Sequence, residues 1–383
     1  MIVGGNMIKR TIGKTGIESS VLGIGCMRLP VLNGDASKID EAAAIHMIRH
    51  AIDEGVTYVD TAYPYHGGES EKVVGKALED GYRERVTLVT KSPGWMIETQ
   101  EDFYKFLDEQ LEKLQTDSLD IYLLHALNKA RWETYKSIDI FSAIDRVKAQ
   151  GKIKHIGFSF HDEFPVFEEI INDYEWDVCM LQLNYLDMQE QAGLRGLELA
   201  EQKGVPVIVM EPLKGGLLAT PPKDIAEIWS EYDEKRSSVE WALRYVANFE
   251  NVKVILSGMS NVTQIDENLE IANRLTVGNL DEAALKVVER VRLTYASRVQ
   301  VPCTQCGYCV PCPHGVEIPR VFNMYNRAHI FDIHETIREQ YHTNLEEQAK
   351  ASNCVACGQC EPKCPQNIEI INMLSRIALE FKM

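Results

Sequence analysis

Eight of the ten cysteines lie after residue 302, in two dense arrays. The first, VPCTQCGYCVPCPHG, sets Cys303, Cys306, Cys309 and Cys312 at three-residue intervals, with Pro313 behind the last. The second, CVACGQCEPKCP, places Cys354, Cys357, Cys360 and Cys364 ahead of Pro365. In a reducing cytoplasm thiols seldom form lasting disulfides, so arrays this dense are read as metal ligands. Two chemistries use such spacing: iron–sulfur clusters, each held by four thiolates, and tetrahedral zinc. Zinc ribbons rarely use three successive CxxC steps closed by Cys-Pro, so the pattern is read as iron–sulfur, with zinc as the alternative. The other two, Cys26 and Cys179, fall within apolar runs and read as small buried hydrophobes.

A second set of reactive residue types is spread along the first half of the chain: Asp60, Tyr65, Lys91 and His125. An acid, a phenol, an ammonium and an imidazole together can move protons, provided something brings them to one place. The elements that would do so are legible as short β-branched runs at residues 21–27, 57–62, 86–91, 119–125, 155–160, 179–185, 205–211 and 252–258. Between them lie amphipathic helical segments such as residues 38–55, which end at Gly55. Eight such units in about 250 residues predict an α/β fold, a (β/α)8 TIM barrel, rather than an open doubly wound sheet. The segment GIGCMR carries only the first two glycines of a dinucleotide fingerprint. In a (β/α)8 barrel chemistry gathers where strands end. Asp60, Lys91, His125 and Ser159 lie at or near the ends of successive runs, with Tyr65 five residues beyond Asp60. Trp95 reads as a pocket wall or a rim aromatic, and His161 as structural.

The expected organisation is a barrel with a linker helix over residues 1–297 and a small helical cluster domain over 298–383. A formal charge of −17 argues against an unaided nucleic-acid partner. Residues 298–383 carry 8 basic and 9 acidic groups, so nearly all of the excess acid lies before them. No run approaches the roughly 20 apolar residues of a membrane span, and MIVGGNMIKR lacks a secretion-type pattern, so the chain is read as cytoplasmic with no membrane partner.

Residues 7–275 resemble the aldo-keto reductase family. The resemblance is carried by DTAYPY followed by GESE, by VTK, LDIYLLH, GKIKHIGFS, Gln182 of LQLNY, EPLKGGLL and GMSNVTQIDENL. It implies that Asp60, Tyr65, Lys91 and His125 form a catalytic tetrad acting on a small-molecule carbonyl substrate. Tyr65 would donate the proton that the nascent alkoxide needs, Lys91 would make that phenol more acidic, Asp60 would fix Lys91, and His125 would orient the carbonyl oxygen. It also implies a cofactor, NADP or NAD, held by Ser159, Gln182, Met210, Pro212, Leu213, Gly215, Gly258, Gln264, Glu267 and Asn268. Two positions depart from the family pattern. Met210 replaces a stacking aromatic, and Gln264 stands where many members have an arginine for a ribose phosphate, so the dinucleotide stays open and a flavin is a further alternative.

The second array matches the CxxCxxCxxxCP run of two-cluster ferredoxins, and the first is one residue shorter in its third step. Crossed ligation then gives one 4Fe-4S cluster on Cys303, Cys306, Cys309 and Cys364, and another on Cys354, Cys357, Cys360 and Cys312. The fused arrangement resembles the iron–sulfur branch of the family. It implies an oxidoreductase whose clusters connect the barrel to an electron-carrier protein. Nicotinamide moves electrons in pairs and each cluster one at a time, which is why a flavin go-between enters. Two other readings stand: an ordinary carbonyl reductase with structural clusters, and a nucleotide-binding redox-sensing or interaction module with little turnover.

Overall fold

Parallel strands need helical crossovers between them, and this chain supplies one after nearly every apolar run. The computed structural model describes residues 7–232 and 234–382. The first six residues, the head of the segment expected to lack a secretion signal, lie outside these. Two short strands, β1 (Lys9–Thr11) and β2 (Glu18–Ser20), form an antiparallel hairpin that the sequence pattern did not foreshadow. Eight further strands follow: β3 (Leu22–Gly25), β4 (Tyr58–Asp60), β5 (Thr87–Ser92), β6 (Leu119–Leu127), β7 (Ile153–Phe160), β8 (Val178–Gln182), β9 (Val207–Met210) and β10 (Val252–Ser257). They close in chain order, β10 pairing with β3, into a parallel barrel. All eight expected runs are therefore strands, with ends displaced by up to about three residues. Cys26 is the visible exception: it opens a short 3-10 turn, Cys26–Arg28, instead of ending β3.

The barrel interior is filled by alternate residues of the strands, among them Tyr58, Val89, Ile121, Leu123, Met180, Ile208 and Val254, and Ile12 from the hairpin turn joins them. The surrounding helices are set by ordinary signals. Helix Glu41–Asp53 is capped by Asp40, whose side chain accepts from the Ala43 amide, and it buries Ala44, Met47, Ile48, Ala51 and Ile52 on one face. Helix Gln100–Lys113 begins with a Thr99/Asp102 capping box. No helix among the described residues is long and apolar enough to cross a membrane.

The chain divides into two compact units, Met1–Ala219 with Arg236–Ala283, and Thr220–Lys235 with Ala284–Met383. The sequence placed the boundary at 297/298; in the structure most of helix Glu282–Ser297 falls in the second unit. Local contacts explain why. Tyr295 packs on Phe331 with ring centroids 5.7 Å apart, Arg290 pairs with Glu231, and Arg298 pairs with Asp224 at 2.9 Å. The rest of the second unit is helical, as expected. Helices Ile318–Phe331, His334–Asn344 and Ile370–Glu380 share a core of Val321, Phe322, Tyr325, Ile337, Leu374 and Ile377, and six of the array cysteines, all but Cys306 and Cys357, pack against it.

Candidate active site and cluster cradles

Parallel register places the polar strand ends at one rim. Asp60 pairs with Gly25 and Val89, Lys91 with Leu123, Ser159 with Met180, and Gln182 with Met210. Lys91 is the most constrained group there. Its ammonium is buried and spends its three protons on Asp60 Oδ1 at 2.6 Å, the Thr61 carbonyl at 2.8 Å and Tyr65 Oη at 3.3 Å. Burial alone would push this ammonium towards neutrality, but Asp60 and Tyr65 more than offset it, and its pKa lies above the usual lysine value. The strand beneath is braced by a buried network: Glu71 Oε1 accepts from Thr90 Oγ1 at 2.6 Å and from Gln110 Nε2, which also donates to the Lys91 carbonyl at 3.0 Å.

This buried pair carries a stability prediction. Lys91→Met is expected to cost about 3–5 kcal/mol, because Asp60, whose Oδ2 already lacks a partner, would be left as an uncompensated buried charge. Urea unfolding measures it, and a loss below about 1 kcal/mol would refute the buried-pair account.

Tyr65 sits close to the proton-transfer partners the sequence assigned, but one expectation changes. Burial raises its pKa, Lys91 lowers it, Asp60 raises it again, and the net direction is upward. Lys91 does pull this phenol towards acidity, as expected, but burial outweighs it and Asp60 adds to the rise. Tyr65 is therefore fully protonated at neutral pH, loaded as a donor. His125 lies beside it, ring centroids 6.1 Å apart and edge-on. Burial and the nearby Lys91, His161 and Arg131 hold the His125 imidazole well below its ordinary pKa, so it is neutral, and its Nδ1 is buried without a hydrogen-bond partner.

The aim of His125 comes from an irregularity in β6. Pairing with β7 shifts register between Leu124 and Leu127, and Ala126 adopts φ +50. The Ala126 amide is held by Ser159 Oγ at 2.7 Å. Ser159 thus fixes the backbone of β6 next to His125. Trp95, 44% exposed, packs against His125 with centroids 5.4 Å apart, and Arg131 lies over the indole. The rim-aromatic reading matches this position. His161 is tied to Gln191, whose amide donates to Gln182 Oε1 at 2.9 Å.

The remaining expected cofactor residues line this rim unevenly. Gln182 Nε2 donates to Asp187, which Lys214 also grips. Met210 ends β9 and packs against the barrel core, Pro212 is buried, and Leu213 is half-buried. Gly215, at φ +67, and exposed Gly258 present bare backbone. Gln264 and Glu267 are exposed on helix Val262–Ala272, whereas Asn268 is buried with its amide on Ser257 Oγ at 2.9 Å. Sequence reasoning missed Arg28. Its side chain lies across both glycines: a Cβ on Gly215 would stand 3.1 Å from Arg28 Nη2, and one on Gly258 3.1 Å from Arg28 Cδ. A guanidinium with no ion pair among the described residues, over two bare backbones, is a fitting cradle for a phosphate. No local signal singles out an arginine in a short loop.

In the second unit the two cysteine arrays fold alike. Gln305 and Gly307 have φ +57 and +78; Ala356 and Gly358, at the same steps of the second array, have +56 and +74. These left-handed steps curl each loop so that successive thiols converge. One cavity is lined by Cys303, Cys306, Cys309 and Cys364, and the other by Cys312, Cys354, Cys357 and Cys360, with Cys309 touching both. The donor sets, four thiols to a cradle, fit iron–sulfur clusters with the crossed pairing. Cys26 and Cys179 are buried, with thiols pushed up by desolvation, and join neither cradle.

Comparison with known proteins agrees with both units. The model of the Aldo/keto reductase family matches residues 21–285, and that of a 4Fe-4S dicluster domain matches residues 302–369. L-galactose dehydrogenase of Arabidopsis thaliana is 27% identical over 303 residues, covering 74% of this chain and 93% of that protein. NADH-specific methylglyoxal reductase of Escherichia coli is 26% identical, covering 70% and 94%. The holo structure of aldo-keto reductase AKR11C1 from Bacillus halodurans superposes with a TM-score of 0.64 at 26% identity, covering 75% of this chain and 96% of that one.

Proposed function

The chain belongs to the aldo/keto reductase family, and on that premise we propose that it is an NAD(P)H-linked oxidoreductase that reduces a carbonyl substrate in its barrel and carries two 4Fe-4S clusters connecting it to electron transfer. The observation that carries the barrel half is the pair of buried contacts in which Lys91 bonds Asp60 and Tyr65 beside a neutral His125. When bound, a reduced nicotinamide supplies hydride and each cluster exchanges one electron. The chain's own residues do the rest. Tyr65 Oη delivers the proton to the carbonyl oxygen, Lys91 stabilises the phenolate left behind, and Asp60 holds Lys91 in place. His125 meets the substrate oxygen as a neutral group, adding no charge to be screened.

Arg28, Gly215 and Gly258 suit the dinucleotide's phosphates, and Cys303, Cys306, Cys309 with Cys364, and Cys354, Cys357, Cys360 with Cys312, suit the clusters. Because the clusters take single electrons, the carrier-linked activity calls for a two-electron to one-electron converter, and flavin is the chemical class that does this. The partner is a small electron-carrier protein, and the compartment a reducing cytoplasm.

Anaerobic purification followed by release of bound cofactors, then NADH- or NADPH-driven turnover over a panel of aldehydes, ketones and quinones, tests the whole reading. Turnover that needs Tyr65, with viologen reduction that needs the clusters, is the expected result. Nucleotide binding without turnover of any panel member would sink it in favour of a sensing module; turnover with no cluster-dependent viologen reduction would leave the clusters structural. On nucleotide choice, Gln264 offers no fork for a ribose phosphate, and its Oε1 already accepts from the Ser260 amide at 2.8 Å. NADH is the expected donor, and Gln264→Arg is expected to raise kcat/KM for NADPH relative to NADH by about tenfold, the scale of one added hydrogen bond to a charged group. An unchanged ratio would remove position 264 from the cofactor site.

A further inference from the structure

Three helix ends in the second unit bring together ligands of another kind, apart from the cysteines. His329 lies in the last turn of helix Ile318–Phe331, His334 opens helix His334–Asn344, and Glu380 closes helix Ile370–Glu380. Between the histidines the chain turns sharply through Asp332, at φ +56. That turn sets the two imidazoles edge to face, with centroids 4.5 Å apart and planes at 87°. Both converge on one carboxylate oxygen: His329 Nε2 is 2.9 Å and His334 Nδ1 3.4 Å from Glu380 Oε1. One ligand atom from each of the three residues lies within 4.8 Å of the others. A tetrahedral shell with bonds of about 2.0–2.1 Å needs ligand atoms about 3.4 Å apart, so the His334–Glu380 pair already fits, His329 and Glu380 must part slightly and the two histidine nitrogens must close.

The groups behind these three have the arrangement of an outer shell. Tyr325 Oη donates to Glu380 Oε2 at 2.9 Å, which leaves Oε1 facing the histidines. The other nitrogen of His334, Nε2, faces Asp332 Oδ1 at 3.7 Å. Metal-bound histidines commonly carry such a carboxylate behind them, because it fixes the ring and raises its basicity. His329 Nε2 is buried 2.9 Å from Glu380 Oε1, close enough to pair with it directly when no ion is bound. The side chains of His334 and Glu380 are 32% and 30% exposed, which gives water access to a fourth position.

We propose that His329, His334 and Glu380 bind one divalent transition-metal ion, zinc by the two-histidine, one-carboxylate donor set, with water completing the shell and separate from the cysteine cradles. The ion clamps three helix ends together, so its binding stabilises the folded second unit.

The full-length chain, purified anaerobically with its iron in place, is equilibrated with Zn2+ against a competing chelator, and its metals are counted. One zinc per chain beyond the iron is expected, with affinity falling at least about tenfold in His334→Gln and in Glu380→Gln while the iron content stays unchanged. Absence of bound zinc overturns the proposal. So does zinc retained at full affinity in the His334→Gln/Glu380→Gln double variant, since the ion would then sit on cysteines. A second measurement needs no variant: zinc should protect His329 and His334 from diethylpyrocarbonate, read by peptide mass, and undiminished modification of both overturns the site.

Discussion

Tyr65→Phe is expected to lower kcat for carbonyl reduction by about 10²–10⁴-fold, the range spanned by a well-placed general acid, while the dinucleotide still binds within about twofold of its original affinity. The substitution removes a single oxygen. The ring stays, with its edge-on contact to His125 and its place under the Lys91 ammonium, whose nitrogen lies 4.9 Å from the ring centre. Lys91 loses one of three acceptors but keeps Asp60 and the Thr61 carbonyl, so the buried pair survives. What disappears is the phenol hydroxyl and the proton it carries. A kcat within about threefold of the unsubstituted chain would show that the proton comes from elsewhere.

The pH profile follows from the same groups. The Tyr65 pKa is raised, so the donor form is present throughout neutral pH and is lost only as pH climbs beyond the ordinary tyrosine value of about 10. The His125 pKa is depressed, so its neutral form is lost only as pH falls well below about 6.5. Reduction should therefore run on a flat plateau between about pH 6.5 and 9, with no break near the usual histidine pKa.

The second large effect concerns the cysteines. Cys364→Ala is expected to remove about half of the iron, because Cys364 lines the cavity of Cys303, Cys306 and Cys309 and not that of its sequence neighbours. Adding Cys303→Ala to that variant should cost no further iron, while adding Cys354→Ala should strip the remainder. Ligation without crossing predicts the opposite pair of results, so metal counts on two double variants decide between them. The physical basis is the matched curl of the two loops. Each draws three of its own thiols inward, and the fourth cysteine of each array, ahead of Pro313 or Pro365, passes to the facing cradle.

Much of the site could be read from the chain because a parallel barrel converts a one-dimensional fact into a three-dimensional one. All of its strands end at the same rim, so Asp60, Lys91, His125 and Ser159, each at or near the end of a β-branched run, meet without any knowledge of long-range contacts. The cluster ligands were legible for a similar reason, since closely spaced thiols in a short loop cannot avoid one another. The hairpin β1–β2 escaped notice because three-residue strands leave no periodicity to detect.

Sequence alone therefore determined the barrel, the rim residues and the two thiol arrays, all properties of local pattern repeated along the chain. Tertiary structure alone decided the rest. It set the net rise of the Tyr65 pKa through burial and the competing fields of Lys91 and Asp60. It spent the Ser159 oxygen on Ala126, laid Arg28 across Gly215 and Gly258, and gathered Thr220–Lys235 with the second unit. Each of these depends on which groups far apart in sequence share a few ångströms of space with little water between them, and charge, desolvation and packing are fixed only by that sharing.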